Sequence, residues 1–124
     1  MNALIIEDEM IIGIDLELKL NRLGVKNRGI ARNLEQALTL MNPEVQLVFL
    51  DINLDGKEDG IEVAEILRRN HAFYAVFISG SMNQSTIERA LSIGKSEYIK
   101  KPFNEVSIQE AILRAENLMS LEQS

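Results

Sequence analysis

Five short apolar runs alternate along this chain with stretches of helical periodicity, and that alternation narrows the fold more than any other feature. Clear runs lie at residues 3–6, 47–50 and 74–78, with weaker ones at 25–30 and 98–99. Four or five consecutive apolar residues suit a strand covered on both faces, as in a parallel sheet. Between them, Leu34, Ala37, Leu38 and Met41 fall at i, i+3, i+4 and i+7, one face of a helix. Asn33 serves as its predicted N-cap with Gln36 three residues on, and Asn42-Pro43 closes it. Ile87, Ala90 and Leu91 repeat the spacing ahead of Gly94, a residue suited to positive φ after a helix. Ile108, Ala111, Ile112, Ala115 and Met119 repeat it after Asn104. A first helix with a broad apolar face is predicted over about residues 9–23, stopped by Gly24, and another over 60–69.

The runs begin near residues 3, 25, 47, 74 and 98, an interval of roughly 21 to 27 residues. Each interval holds a strand, a turn, a three-turn helix and a return turn. Five such units in series predict an α/β fold, a five-stranded parallel sheet doubly wound with helices on both faces. The 124 residues fit a single domain over 1–124, with no room for a separate output domain. In sheets of this kind ligands bind beyond the carboxyl ends of the strands, where the strand order reverses.

Thirteen Lys and Arg against nineteen Asp and Glu give a net charge of −6. That sign argues against direct nucleic-acid binding and against an anionic membrane surface, both of which need a basic face. The chain has no cysteine, which excludes disulfides, thiolate metal sites and cysteine nucleophiles. A lone histidine, His71, offers no zinc set. No basic segment precedes an apolar stretch at the N-terminus, and the longest apolar run, residues 72–78, is far short of a membrane span. A cytoplasmic location is the expectation.

The predicted strand ends carry the chemistry. Glu7 and Asp8 follow the first strand; Asp51 ends the third, with Asn53 two residues on. Ser79 ends the fourth, before Gly80 and Ser81, and Lys101 follows the fifth, joined to Pro102. Two carboxylates about 4 Å apart repel by roughly 4 kcal/mol at an effective dielectric of 20, so three clustered together call for a cation. A hard divalent ion such as Mg²⁺ suits oxygen ligands of this type. A carboxylate nucleophile, a metal, an ammonium and a hydroxyl donor together equip a site for phosphoryl transfer to an aspartate.

Residues 4–9 (LIIEDE), 47–54 (LVFLDINL), 76–80 (VFISG) and 98–103 (YIKKPF) together resemble the receiver domain of two-component response regulators. The resemblance covers essentially the whole chain and implies the flavodoxin-like (βα)5 receiver fold. It implies that Asp51 is the phosphoacceptor for a histidine kinase or a histidine phosphotransfer protein. Glu7, Asp8 and Asp51 would hold Mg²⁺, with Asn53 adding its backbone carbonyl. Lys101 would pair with Asp51, its own bond to Pro102 would be cis, and Lys100 would point to the opposite face. Ser79 and Tyr98 would form a switch pair that reshapes the face made by the fourth helix, fifth strand and fifth helix for a downstream protein partner. A monomer or a phosphorylation-dependent dimer fits that role.

This chain departs from the family pattern in the loop after Asp51. The loop lacks the usual proline, and its acids and glycines suggest mobility. Lys95 stands where the family often has alanine, and Asn53 and Ser81 flank the site where they would govern water access to the phosphoryl group. Two alternatives stand beside the receiver reading. An aspartyl-phosphate phosphatase would also place its nucleophile after a strand, but it needs a second acid where Asn53 stands. A pseudo-receiver serving only as a docking module would have no use for so costly an acidic cluster.

Overall fold

The computed structural model describes residues 1–80 and 83–123. Along the chain run β1 (Asn2–Ile6), α1 (Met10–Arg22), β2 (Lys26–Ala31), α2 (Leu34–Leu40) and β3 (Leu47–Asp51). They are followed by α3 (Gly60–Arg68), β4 (Tyr74–Ser79), α4 (Gln84–Ser92), β5 (Ser96–Lys100) and α5 (Glu105–Gln123). The five strands form one parallel sheet in the order β2-β1-β3-β4-β5. The chain winds outward from β1 to β2, then returns past β1 to β3 and continues the other way. Strand order therefore reverses between β1 and β3, and the crevice of a doubly wound sheet opens there.

Side chains alternate across the sheet with period two, which splits the core into two layers. Leu4 and Ile6, Val48 and Leu50, and Ala75 and Phe77 pack with Ala37 of α2, Ile61, Ala64 and Leu67 of α3, and Ala90 of α4. Ala3 and Ile5, Leu47 and Phe49, and Val76 and Ile78 pack instead with Leu16 and Leu20 of α1 and with Ile108, Ala111, Ile112 and Ala115 of α5. Residues of β1, β3 and β4 thus meet apolar partners on both sides, which is why these segments are continuous apolar runs.

The edge strands differ. β2 starts at Lys26 rather than Val25, because the Val25 amide closes the end of α1 on the Leu20 carbonyl at 2.9 Å. In β5 the buried position is Ile99, and the strand extends over polar Ser96 and Glu97. An edge strand keeps one flank in water, so its pattern is short and interrupted.

Two helices also shift their faces from the predicted stripe. Leu38 and Leu91 point to solvent, while Leu40 and Ile93 pack onto the core in their place. The broad apolar face of α1 divides in the same way, with Leu16 and Leu20 buried and Met10, Ile11, Ile14 and Leu18 exposed. Asn33 caps α2 by accepting from the Gln36 amide at 2.9 Å. The Gln36 side chain returns to the Arg32 amide at 2.8 Å, one residue upstream of the reciprocal capping bond. Gly94 takes the expected positive φ, at 76°. No helix among the described residues is long and apolar enough to cross a membrane.

Candidate functional site

The register of the sheet assembles the site. Ile6 lies beside Leu50, so Glu7 and Asp8 leave β1 next to Asp51, the last residue of β3. Ser79 ends β4 opposite Lys100, and the Lys101 amide extends that pairing by donating to the Ser79 carbonyl at 2.8 Å. Carboxylate oxygens of Glu7, Asp8 and Asp51 lie within 4.8 Å of one another. Lys101 Nζ stands 3.4 Å from Glu7 Oε2 and 3.5 Å from Asp51 Oδ1. Lys100 is exposed, on the side of β5 away from the cluster, and the Lys101–Pro102 bond is cis.

Most of this cluster is buried, with Asp8 at its half-exposed edge. Glu7 and Asp51 are each 3% exposed, and Ser79 is fully buried. Burial pushes the Glu7 carboxyl up to about 7, and the neighbouring Asp51 charge and hydrogen bond add to the rise. The Glu9 amide, which donates to Glu7 Oε1 at 3.1 Å, and the Lys101 ammonium oppose it without prevailing. One lysine is therefore too little positive charge for three carboxylates.

Backbone and side-chain bonds fix the acids individually. Asp8 Oδ2 accepts from the Asp55 amide at 2.7 Å, and Asp51 Oδ1 accepts from the Asn53 amide at 3.1 Å. The Asn53 side chain reaches across to β4, where Nδ2 donates to Ser79 Oγ at 2.9 Å. The loop after Asp51 is tied at both ends, since Asp59 forms a reciprocal capping box with Glu62 and an ion pair with Arg89 of α4 at 3.2 Å. One of the loop's acids, Asp59, thus has a structural task that composition alone does not reveal.

The structure also adds a residue that the sequence reasoning passed over. Gly60 opens α3 directly against β3, where a Cβ would lie 2.1 Å from the Asp51 carbonyl oxygen. Its amide donates to the Ile52 carbonyl at 2.9 Å. A glycine at the first turn of a helix, nine residues after a candidate nucleophile, is the available sequence signal. Tyr98 sits on β5 with 41% exposure, outside the acidic cluster. His71 is half-buried in the connection from α3 to β4, at the far end of the sheet. Ser81 lies outside the described residues.

Residues 3–113 match the family described as the response regulator receiver domain. The chain is 33% identical over 119 residues to the aerobic respiration control protein ArcA of Escherichia coli, covering 96% of this chain and 48% of ArcA. The crystal structure of NtrX from Brucella abortus superposes with a TM-score of 0.88 at 30% identity, covering 98% of this chain and 28% of NtrX. The signal receiver domain of a modulated diguanylate cyclase from Desulfovibrio desulfuricans superposes with a TM-score of 0.84 at 28% identity, over 98% of this chain and 97% of that one. The chain spans about half the length of ArcA and about a quarter of NtrX.

Proposed function

The chain belongs to the response regulator receiver family of two-component systems, and on that premise we propose that Asp51 accepts a phosphoryl group from the phosphohistidine of a histidine kinase or histidine phosphotransfer protein. The observation that carries this reading is a buried Asp51 held against Glu7 and Asp8 with Lys101, among the described residues, as the one counter-charge. A structural ion pair of this kind gains nothing from the extra acids, because desolvation and like-charge repulsion outweigh the single attraction. In the transfer, an Asp51 oxygen bonds to phosphorus as the phosphorus–nitrogen bond breaks, and the electron pair stays on the imidazole.

The donor set fits Mg²⁺, since it is built from oxygens and leaves negative charge uncompensated. Glu7, Asp8 and Asp51 would hold the ion by carboxylates and Asn53 by its backbone carbonyl. When bound, the ion supplies positive charge to the phosphoryl oxygens. Lys101 holds a phosphoryl oxygen, and the Ser79 hydroxyl donates to another. Asn53 cannot exchange a proton, so the phosphatase alternative lacks its general acid.

For output, capture of Ser79 lets Tyr98 turn inward and biases the surface of α4, β5 and α5 toward a state recognised by a downstream protein, as a monomer or a phosphorylation-dependent dimer. A cytoplasmic setting, without direct nucleic-acid or membrane contact, accords with the acidic charge. Intact-protein mass after incubation with Mg²⁺ and acetyl phosphate tests the core of this reading. One added phosphoryl group, lost without Mg²⁺ and in Asp51→Asn, is the expected result. An adduct that persists in Asp51→Asn would overturn it.

A further inference from the structure

We propose that Asn53 is a positioning residue for phosphoryl capture: its side-chain amide sets the Ser79 hydroxyl at the phosphoacceptor rim before the phosphoryl group arrives. This rests on the reading of Asp51 as phosphoacceptor. The sequence assigned Asn53 a backbone carbonyl and a place beside the water path; the structure gives its side chain a different task. Its amide N–H donates to Asp51 Oδ1 at 3.1 Å while Nδ2 donates to Ser79 Oγ at 2.9 Å. One residue therefore spans the ends of β3 and β4 and registers the hydroxyl against the carboxylate.

Serine has three staggered wells at χ1. The bond from Nδ2 favours the well that faces Asn53, on the same rim as Asp51. It also uses the hydroxyl in the productive sense. A hydroxyl offers two acceptor lone pairs and one proton, and accepting from an amide occupies a lone pair, not the proton. Polarised in this way, the O–H is a stronger donor toward an anionic oxygen. Aspartate at this position would present an acceptor and a further charge, and alanine would present nothing.

Asn53 is exposed whereas Ser79 is fully buried, so truncating Asn53 leaves the core intact. Because the chain has no tryptophan, the assay is calorimetric or amide-resolved NMR titration with beryllofluoride at saturating Mg²⁺. Four proteins are compared: the natural chain, Asn53→Ala, Ser79→Ala and the double variant. Asn53→Ala is expected to weaken beryllofluoride binding by about fivefold, the size of one neutral hydrogen bond. In the Ser79→Ala background the same substitution is expected to change affinity less than about twofold, because the two residues act as a unit.

Unchanged or tighter binding in Asn53→Ala, or a loss that persists without the Ser79 hydroxyl, overturns the positioning role and leaves Asp51 as phosphoacceptor. Failure of the natural chain to bind beryllofluoride, or equal binding by Asp51→Asn, overturns both. A second measurement needs no variant of Asn53. In the natural protein the Asn53 side-chain NH₂ resonances are expected to shift when Ser79 is replaced by alanine, and identical resonances in the two proteins would overturn the proposal.

Discussion

Two charged networks in this molecule are built on different ratios of donors to acids. At the rim, Glu7, Asp8 and Asp51 share Lys101, whose distances of 3.4 and 3.5 Å to two of them are long for a charge-assisted bond. On the outer side of β4 and β5, a single acid, Glu97, takes donors from two residues. Tyr74 donates its hydroxyl to Glu97 Oε1 at 2.8 Å, and Arg114 forks onto both oxygens at 3.0 and 3.1 Å from Nε. The second network is saturated and half in solvent, as surface pairs that add modest stability are. The first is largely buried and short of positive charge, a state that costs stability and is relieved when a cation arrives. Where charge is deliberately unbalanced, removal should help the fold and destroy the function; where it is balanced, removal should weaken the fold alone.

Asp51→Asn is the sharpest way to break that contrast. It is expected to abolish phosphoryl uptake while stabilising the Mg²⁺-free protein by about 1 kcal/mol, or roughly 4 °C in melting temperature. Paired mass spectrometry and thermal unfolding read both effects. A variant less stable than the natural chain would mean that the acids at the rim are structurally satisfied after all.

The rim tolerates its imbalance because the backbone beneath it is tight, and Gly60→Ala probes that directly. With a Cβ placed 2.1 Å from the Asp51 carbonyl oxygen, the start of α3 must move away from β3. Overpacking against backbone of this sort is expected to cost about 3 kcal/mol, read as a shift in the urea midpoint at unchanged slope. A cost near zero would show that the loop between β3 and α3 yields easily.

How much of this was readable from the chain follows the same division. The central strands announce themselves because every residue of β3 is buried between helices, so no polar residue interrupts the run. The rim acids and Ser79 were legible because they are defined by where those strands end, and Lys101 because a proline follows it directly. β2 and β5 were blurred by their wet edges, and Leu38 and Leu91 were misplaced because short helices touch the sheet along a narrow stripe. The Gly60 contact, the bond from Asn53 to Ser79 and the pairing of Glu97 with Arg114 were not legible. Each depends on a distance across elements, which no periodicity in one segment encodes.

Glu97→Ala carries the comparison to the balanced network. It removes the acceptor for both Tyr74 and Arg114, and a destabilisation of about 1 kcal/mol, with unchanged phosphoryl uptake, is expected from denaturant unfolding and the mass assay. A larger loss of phosphoryl uptake than of stability would tie this outer network to the rim and erase the distinction between them.

The smallest effect is a titration. Burial pushes the Tyr74 hydroxyl up to about 12, with the bond to Glu97 and its charge adding to the rise and Arg114 opposing it. In the unfolded chain the phenol loses its proton near its ordinary value of 10, so between about 10 and 12 the folded state binds more protons. The stabilisation from neutral Tyr74 is therefore fully present below pH 10 and is lost as pH rises through 12. Phenolate absorbance, with Tyr74→Phe separating this group from the chain's other tyrosine, reads the midpoint. Glu97→Gln removes the charge but keeps a hydrogen-bond acceptor, and it should lower the midpoint only part of the way, since burial is the largest cause. A midpoint for Tyr74 at 10 in the natural chain would show that the outer network stands open to water. Its saturation would then contribute nothing, and only the rim would remain as a network whose charge ratio matters.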